Sequence, residues 1–193
     1  NNRVHLERIG NGSDVRTTIM LRNIPNKLDH VTLKSILDEH CFGIYDFVYL
    51  RIDFESGSNV GYAFINFNCV EGVVALVNNV AGRPWLGHGT SKAAEISYAT
   101  IQGRDALVQK FRNSSVMTEP HFCQPHLFST WLDALAAGDF TMVGTEVPFP
   151  GPDNAAKLQR SRDSARAVGL YPPHHTGANA DHRNRLSQYD RGT

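Results

Sequence analysis

Cysteine is scarce. The 193 residues include three, Cys41, Cys69 and Cys123, scattered and never paired as C-x-x-C. That number and spacing speak against a disulfide framework or a zinc ribbon, and make a reducing compartment the expected setting. Net charge is missing too, because Lys plus Arg and Asp plus Glu each number 19. A protein held to DNA or to a membrane surface by charge alone is therefore not expected. No apolar stretch approaches the ~18 residues of a membrane-spanning helix, and no signal-like segment opens the chain. The first residue is Asn1 rather than Met, so the chain reads as part of something longer. Internal repeats are absent, as are G-x-S-x-G, H-E-x-x-H and a glycine-rich phosphate loop. Serines are plentiful, but none sits in a pattern that supplies a nucleophile with a base, so no enzyme is expected.

What is present falls into four stretches. Residues 1–15 are polar and aperiodic and read as a flexible arm. Residues 16–119 are dense in apolar periodicity. Residues 120–147 are looser, a partly ordered extension with one short helix starting at Thr130, where Asp133 completes a capping box and Gly138 supplies the stop. Residues 148–193 are rich in Pro, Gly, His, Asn and Arg with no repeating apolar face, and are expected to be disordered.

Within the dense block, strands and helices alternate. Thr18 to Arg22 is β-branched and apolar and ends in the turn cluster Asn23-Ile24-Pro25-Asn26. Asp29 caps a helix carrying Leu33, Ile36 and Leu37 at helical spacing. Strands follow at Phe47 to Ile52 and Gly61 to Phe67, then a helix from Val70 to Val77, a strand from Ala94 to Tyr98, and a helix from Arg104 to Phe111. This β-α-β-β-α-β order predicts an α+β, ferredoxin-like fold: a four-stranded antiparallel sheet backed by two helices, with an appended C-terminal helix. Two helices on one face leave the other face of the sheet open.

The strand Val60-Gly61-Tyr62-Ala63-Phe64-Ile65-Asn66-Phe67 is the most informative. Side chains alternate between faces, so Ala63, Ile65 and Phe67 pack under the helices while Tyr62 and Phe64 reach the open face two residues apart. Two rings at that spacing suit the stacking of successive bases of a single strand. The pattern is that of an RNA-recognition sheet motif whose leading basic residue is replaced by Val60. By the same parity Met20, Arg22, Tyr49 and Arg51 join the open face. The alternative, in which these rings are core residues under a covering layer, is outweighed by the surrounding pattern.

Longer strings carry a family resemblance. Thr18 to Lys27, with its "RNIPNK", Tyr45 to Phe54, Asn59 to Asn66, Trp85, Ser97-Tyr98-Ala99, Ile101-Gln102-Gly103 and Phe111-Arg112-Asn113-Ser114 resemble the carboxy-terminal RNA-recognition motif of the Mei-two-like family. The resemblance covers about residues 16–128. It implies a fungal or plant RNA-binding regulator of meiosis or development, present in nucleus and cytoplasm and monomeric as an isolated domain. Its implied partner is single-stranded RNA, a non-coding RNA among the candidates, with no cofactor.

Two other constellations compete. Arg83-Pro84-Trp85, before the fourth strand, resembles the Arg-x-aromatic loop by which some related domains seize a protein partner; the plainer reading is a turn whose Trp85 covers the core edge. His121, Cys123 and His126 suggest three ligands, but no fourth is apparent and the spacing fits no common finger, so no metal is expected.

Overall fold

The computed structural model describes residues 1–168, so the disorder expected of residues 169–193 lies outside the described residues. The chain begins with a short helix, α1 (Leu6–Gly10), and then enters β1 (Thr18–Arg22), α2 (His30–Cys41), β2 (Tyr45–Ile52), β3 (Asn59–Phe67), α3 (Val70–Asn79) and β4 (Glu95–Tyr98). These six elements from β1 to β4 are the expected split βαβ unit, antiparallel throughout, with strand order β4-β1-β3-β2.

Local sequence explains each element. The carboxylate of Asp29 accepts the Thr32 N–H at 2.8 Å and starts α2, which buries Leu33, Leu37 and Cys41, four residues apart, against the sheet. Gly72 weakens α3 on propensity, yet a Cβ there would collide with the ring of Phe67, so its absence lets the helix approach the sheet closely. Ile19, Leu21, Val48, Leu50, Ala63, Ile65 and Phe67 meet Leu33, Leu37, Val73 and Leu76 in one core.

The sheet then continues beyond four strands. After α4 (Arg104–Arg112) the chain adds β5 (His126–Phe128) to the free edge of β2, and β6 (Glu146–Val147) to β5, giving the order β4-β1-β3-β2-β5-β6. Between them α5 (Trp131–Ala137) starts at Thr130 with the expected capping box to Asp133 and ends at Gly138 in the left-handed conformation. Trp131 docks this helix at the end of α2: its backbone N–H reaches the Gly43 carbonyl at 2.9 Å, and its ring lies edge-on to Phe42. Leu127, three residues before this helix's cap, is buried in β5.

Two expectations of disorder are corrected. Residues 1–15 are tied down: Ile9 is buried, the Tyr98 N–H bonds the Asn2 carbonyl at 2.7 Å, and Arg16 forks onto Asp14 while lying over the Tyr98 ring. Residues 148–168 are ordered as well and contain α6 (Ala155–Ala167), capped by Asn154. Its sequence is polar on almost every side, which is why no apolar face was apparent, but one small residue, Ala165, is buried.

Candidate nucleic-acid interface

The sheet face opposite α2 and α3 is only partly open. A second apolar cluster occupies it, in which Phe47, Tyr49 and Phe64 meet Leu107 and Phe111 of α4, Val116, Leu127 and Ala165 of α6. Phe111 stacks on Phe47 with ring centroids 5.8 Å apart and lies edge-on to Tyr49 at 5.0 Å. Phe64 is 0% exposed and Tyr49 and Arg51 are each 1% exposed. The open-face placement of Phe64, Tyr49 and Arg51 is therefore corrected: they do lie on that face, but beneath a covering layer. The physical reason is apolar burial. Removing a large side chain from water stabilises by ~1.5–3 kcal/mol, and three rings side by side form a surface that α4 and α6 cover.

The other end of the same face stays accessible. Tyr62 is half-buried, Met20 is half-buried and Arg22 is exposed. Tyr62 meets Phe64 edge-on at 5.7 Å, so one ring of the expected pair is fixed in the core and holds the other at its margin. Arg22 Nε donates to the Met20 sulfur at 3.0 Å, which holds the exposed guanidinium close to its own strand. These three side chains line a groove of about 880 Å³ together with Lys27, Val60 and Lys92.

The walls of the groove explain the Asn-rich turn. Asn23 takes φ 61°, the single non-glycine residue in the left-handed region among the described residues, and its amide donates to the Ala93 carbonyl at 2.9 Å. Asn59 Nδ2 donates to the carbonyls of Pro25 and Leu28, each at 2.7 Å, and the Ile24 N–H bonds the Gly61 carbonyl at 2.9 Å. The β1–α2 turn is thus laced to β3 and puts Lys27 at the rim. Asn59, which sequence reasoning did not single out as functional, is a positioning residue here.

The remaining sequence candidates sit elsewhere. Trp85 is 7% exposed and belongs to the main core, while Arg83 Nη2 bonds the Asn78 carbonyl at 3.1 Å. The Pro84–Ala93 bridge makes this loop a turn that presents its tryptophan inward, as the plainer reading had it. Arg112 is engaged by the Gly151 carbonyl and Asp153. Asn113 is buried beside it; its amide nitrogen donates to Asp153 at 2.6 Å and its oxygen accepts the N–H groups of Asp153 and Asn154, each at 3.0 Å. That hydrogen bond holds the Asp153 carboxyl below its ordinary range. On the covered face, burial and the neighbouring Arg51 push the Lys110 ammonium down.

A βαββαβ sheet with an aromatic residue and cations at the accessible end of its two middle strands defines a domain of the RNA-recognition-motif class. Residues 16–112, half of the chain, match RNA recognition motif 2, and the chain belongs to that family, which is a binding family and not an enzyme family. Meiosis protein mei2 of Schizosaccharomyces pombe is 43% identical over 172 residues, which is 89% of this chain and 22% of that protein. Protein MEI2-like 1 of Arabidopsis thaliana is 46% identical over 145 residues, 75% of this chain and 15% of that protein. The resemblance read from the sequence holds, and the chain spans about a fifth or less of the length of these relatives. Among solved structures, the Rna15 RRM with bound RNA (GU) aligns with 22% identity and a TM-score of 0.40, over 47% of this chain and 89% of that one.

Proposed function

We propose that this domain binds single-stranded RNA at the accessible end of its sheet, in the groove of Met20, Arg22, Lys27, Tyr62 and Lys92. The observation that carries the reading is the placement of Tyr62: a partly exposed ring in a groove lined by three cations, meeting the buried Phe64 edge-on. A base stacks on such a ring whatever its identity, and the cations meet the phosphates on either side. The covered face leaves room for few nucleotides, so the domain reads a short segment. The names of its relatives support a place in a regulator of meiosis or development. Nucleus and cytoplasm are the compartments that go with this reading.

The test is a fluorescence-anisotropy titration of short labelled RNA oligonucleotides with the wild type and Tyr62→Ala. A stacking ring contributes ~1–3 kcal/mol per base, so the variant should bind about five- to 150-fold more weakly with an unchanged thermal midpoint. Wild-type affinity in a folded Tyr62→Ala would rule out the groove as the binding site.

A further inference from the structure

His30, distant in the sequence, converges with His121 and His126 where β5 pairs with β2. His30 is the first residue of α2, His121 opens a short 3-10 turn, His121–Cys123, and His126 opens β5. The His30 and His126 rings stack at 4.9 Å, and His121 lies 4.5 Å from His126 and 6.0 Å from His30. One nitrogen from each ring falls within 4.8 Å of the others. Pairing His121 and His126 with Cys123 leaves a site incomplete in the sequence; the fold supplies His30 in place of the cysteine.

Two further observations point to a ligand. Glu146 of β6 reaches both of the extension's histidines, with its carboxylate 2.6 Å from His121 Nε2 and 3.3 Å from His126 Nδ1. His126 is buried, and its Nε2 has no hydrogen-bond partner among the described residues. A carboxylate on one ring nitrogen, with the other nitrogen left over, is how proteins orient histidines toward a metal. A buried ring nitrogen without a partner otherwise has no explanation in the surrounding structure.

We propose that His30, His121 and His126 bind one zinc ion, with Glu146 as the carboxylate that orients two of the rings. Three imidazoles and a water complete a four-coordinate site of the kind zinc takes. At zinc–nitrogen distances of ~2.0–2.1 Å, the ligand nitrogens, now within 4.8 Å of one another, must draw in by up to about 1.5 Å. The ion would join the N-terminus of α2 to β5 and the preceding turn, fastening residues 120–147 to the domain across a long chain loop, where a clip has the greatest effect.

The experiment is calorimetric titration of the chelator-stripped full chain with zinc sulfate, with thermal midpoints recorded with and without the metal. One equivalent should bind and raise the midpoint. His121→Ala removes an exposed ligand and should weaken binding at least tenfold; Glu146→Gln, also at the surface, should weaken it about 10–100-fold. Cobalt should give the visible absorption of a tetrahedral site in the wild type and lose it in His121→Ala. Absence of stoichiometric binding would overturn the proposal. So would unchanged binding in the His30→Gln, His121→Ala double variant, which would place the metal outside this cluster.

Discussion

Phe111 of α4 meets Tyr49 of β2 edge-on, ring centroid to ring centroid 5.0 Å apart, and this contact is part of the layer that covers the sheet face. It belongs to the cluster that buries Phe64, so the two aromatics expected to act together on one strand have separate duties. Phe64 is structural and Tyr62 is the ring that reaches solvent.

That division predicts opposite outcomes for the two rings. Phe64→Ala or Phe111→Ala leaves a cavity between the sheet and α4, and should destabilise by ~3–5 kcal/mol. Tyr62→Ala should shift the urea midpoint little. Equal midpoints for Phe64→Ala and the wild type would mean that the covering layer contributes no stability.

Asn113 provides a second test, because it anchors residues 153 and 154 immediately before α6. Asn113→Ala leaves those groups short of partners, at ~1–3 kcal/mol. Hydrogen exchange should accelerate throughout Ala155–Ala167 and hardly at all in β1 and β3. Uniform acceleration across the chain would show that α6 unfolds only with the whole domain.

Asp46 should make stability depend on pH. It is buried, where desolvation raises its carboxyl from 3.8 to about 6 against the favourable effects of Asn66 and Arg104. Between those values the folded chain holds more protons at this site than the unfolded chain, so its contribution falls as pH rises and is fully unfavourable above 6. At ~1.4 kcal/mol per pH unit, the full effect is about 3 kcal/mol. Asp46→Asn should therefore gain on the wild type from pH 4 to 6 and hold that gain at pH 8. A difference that does not vary with pH would contradict this.

Salt provides a further check on the groove. Three cations, Arg22, Lys27 and Lys92, line it. With about −0.7 per phosphate neutralised on a single strand, log affinity against log salt should have a slope near −2. A slope near −6 would require a much larger basic surface.

The sequence made the main sheet and its two packed helices legible because alternation in β3 and helical spacing in α2 are strong, local signals. The covering of the sheet was harder to read. Leu107 and Phe111 do sit four residues apart on α4, yet nothing local says which surface they will meet. α6 was hidden because a mostly polar helix that packs through Ala165 and is fastened by Asn113 has no amphipathic pattern. Met20, Arg22 and Tyr62 lie on the expected face and are accessible there, whereas Tyr49, Arg51 and Phe64 were placed on the correct face without its cover. Trp85 was legible as a core edge because it follows a turn between a helix and the last of the four strands.

The most direct test is residue-by-residue NMR of the chain during titration with a short single-stranded RNA. Binding in the groove predicts that the signals of Met20, Arg22, Lys27, Tyr62 and Lys92 move, while those of Phe47, Tyr49, Phe111 and α6 stay in place. If Tyr49, Phe111 and α6 shift as strongly as Tyr62, then RNA displaces the covering layer and uses the whole face, and binding is not confined to the groove.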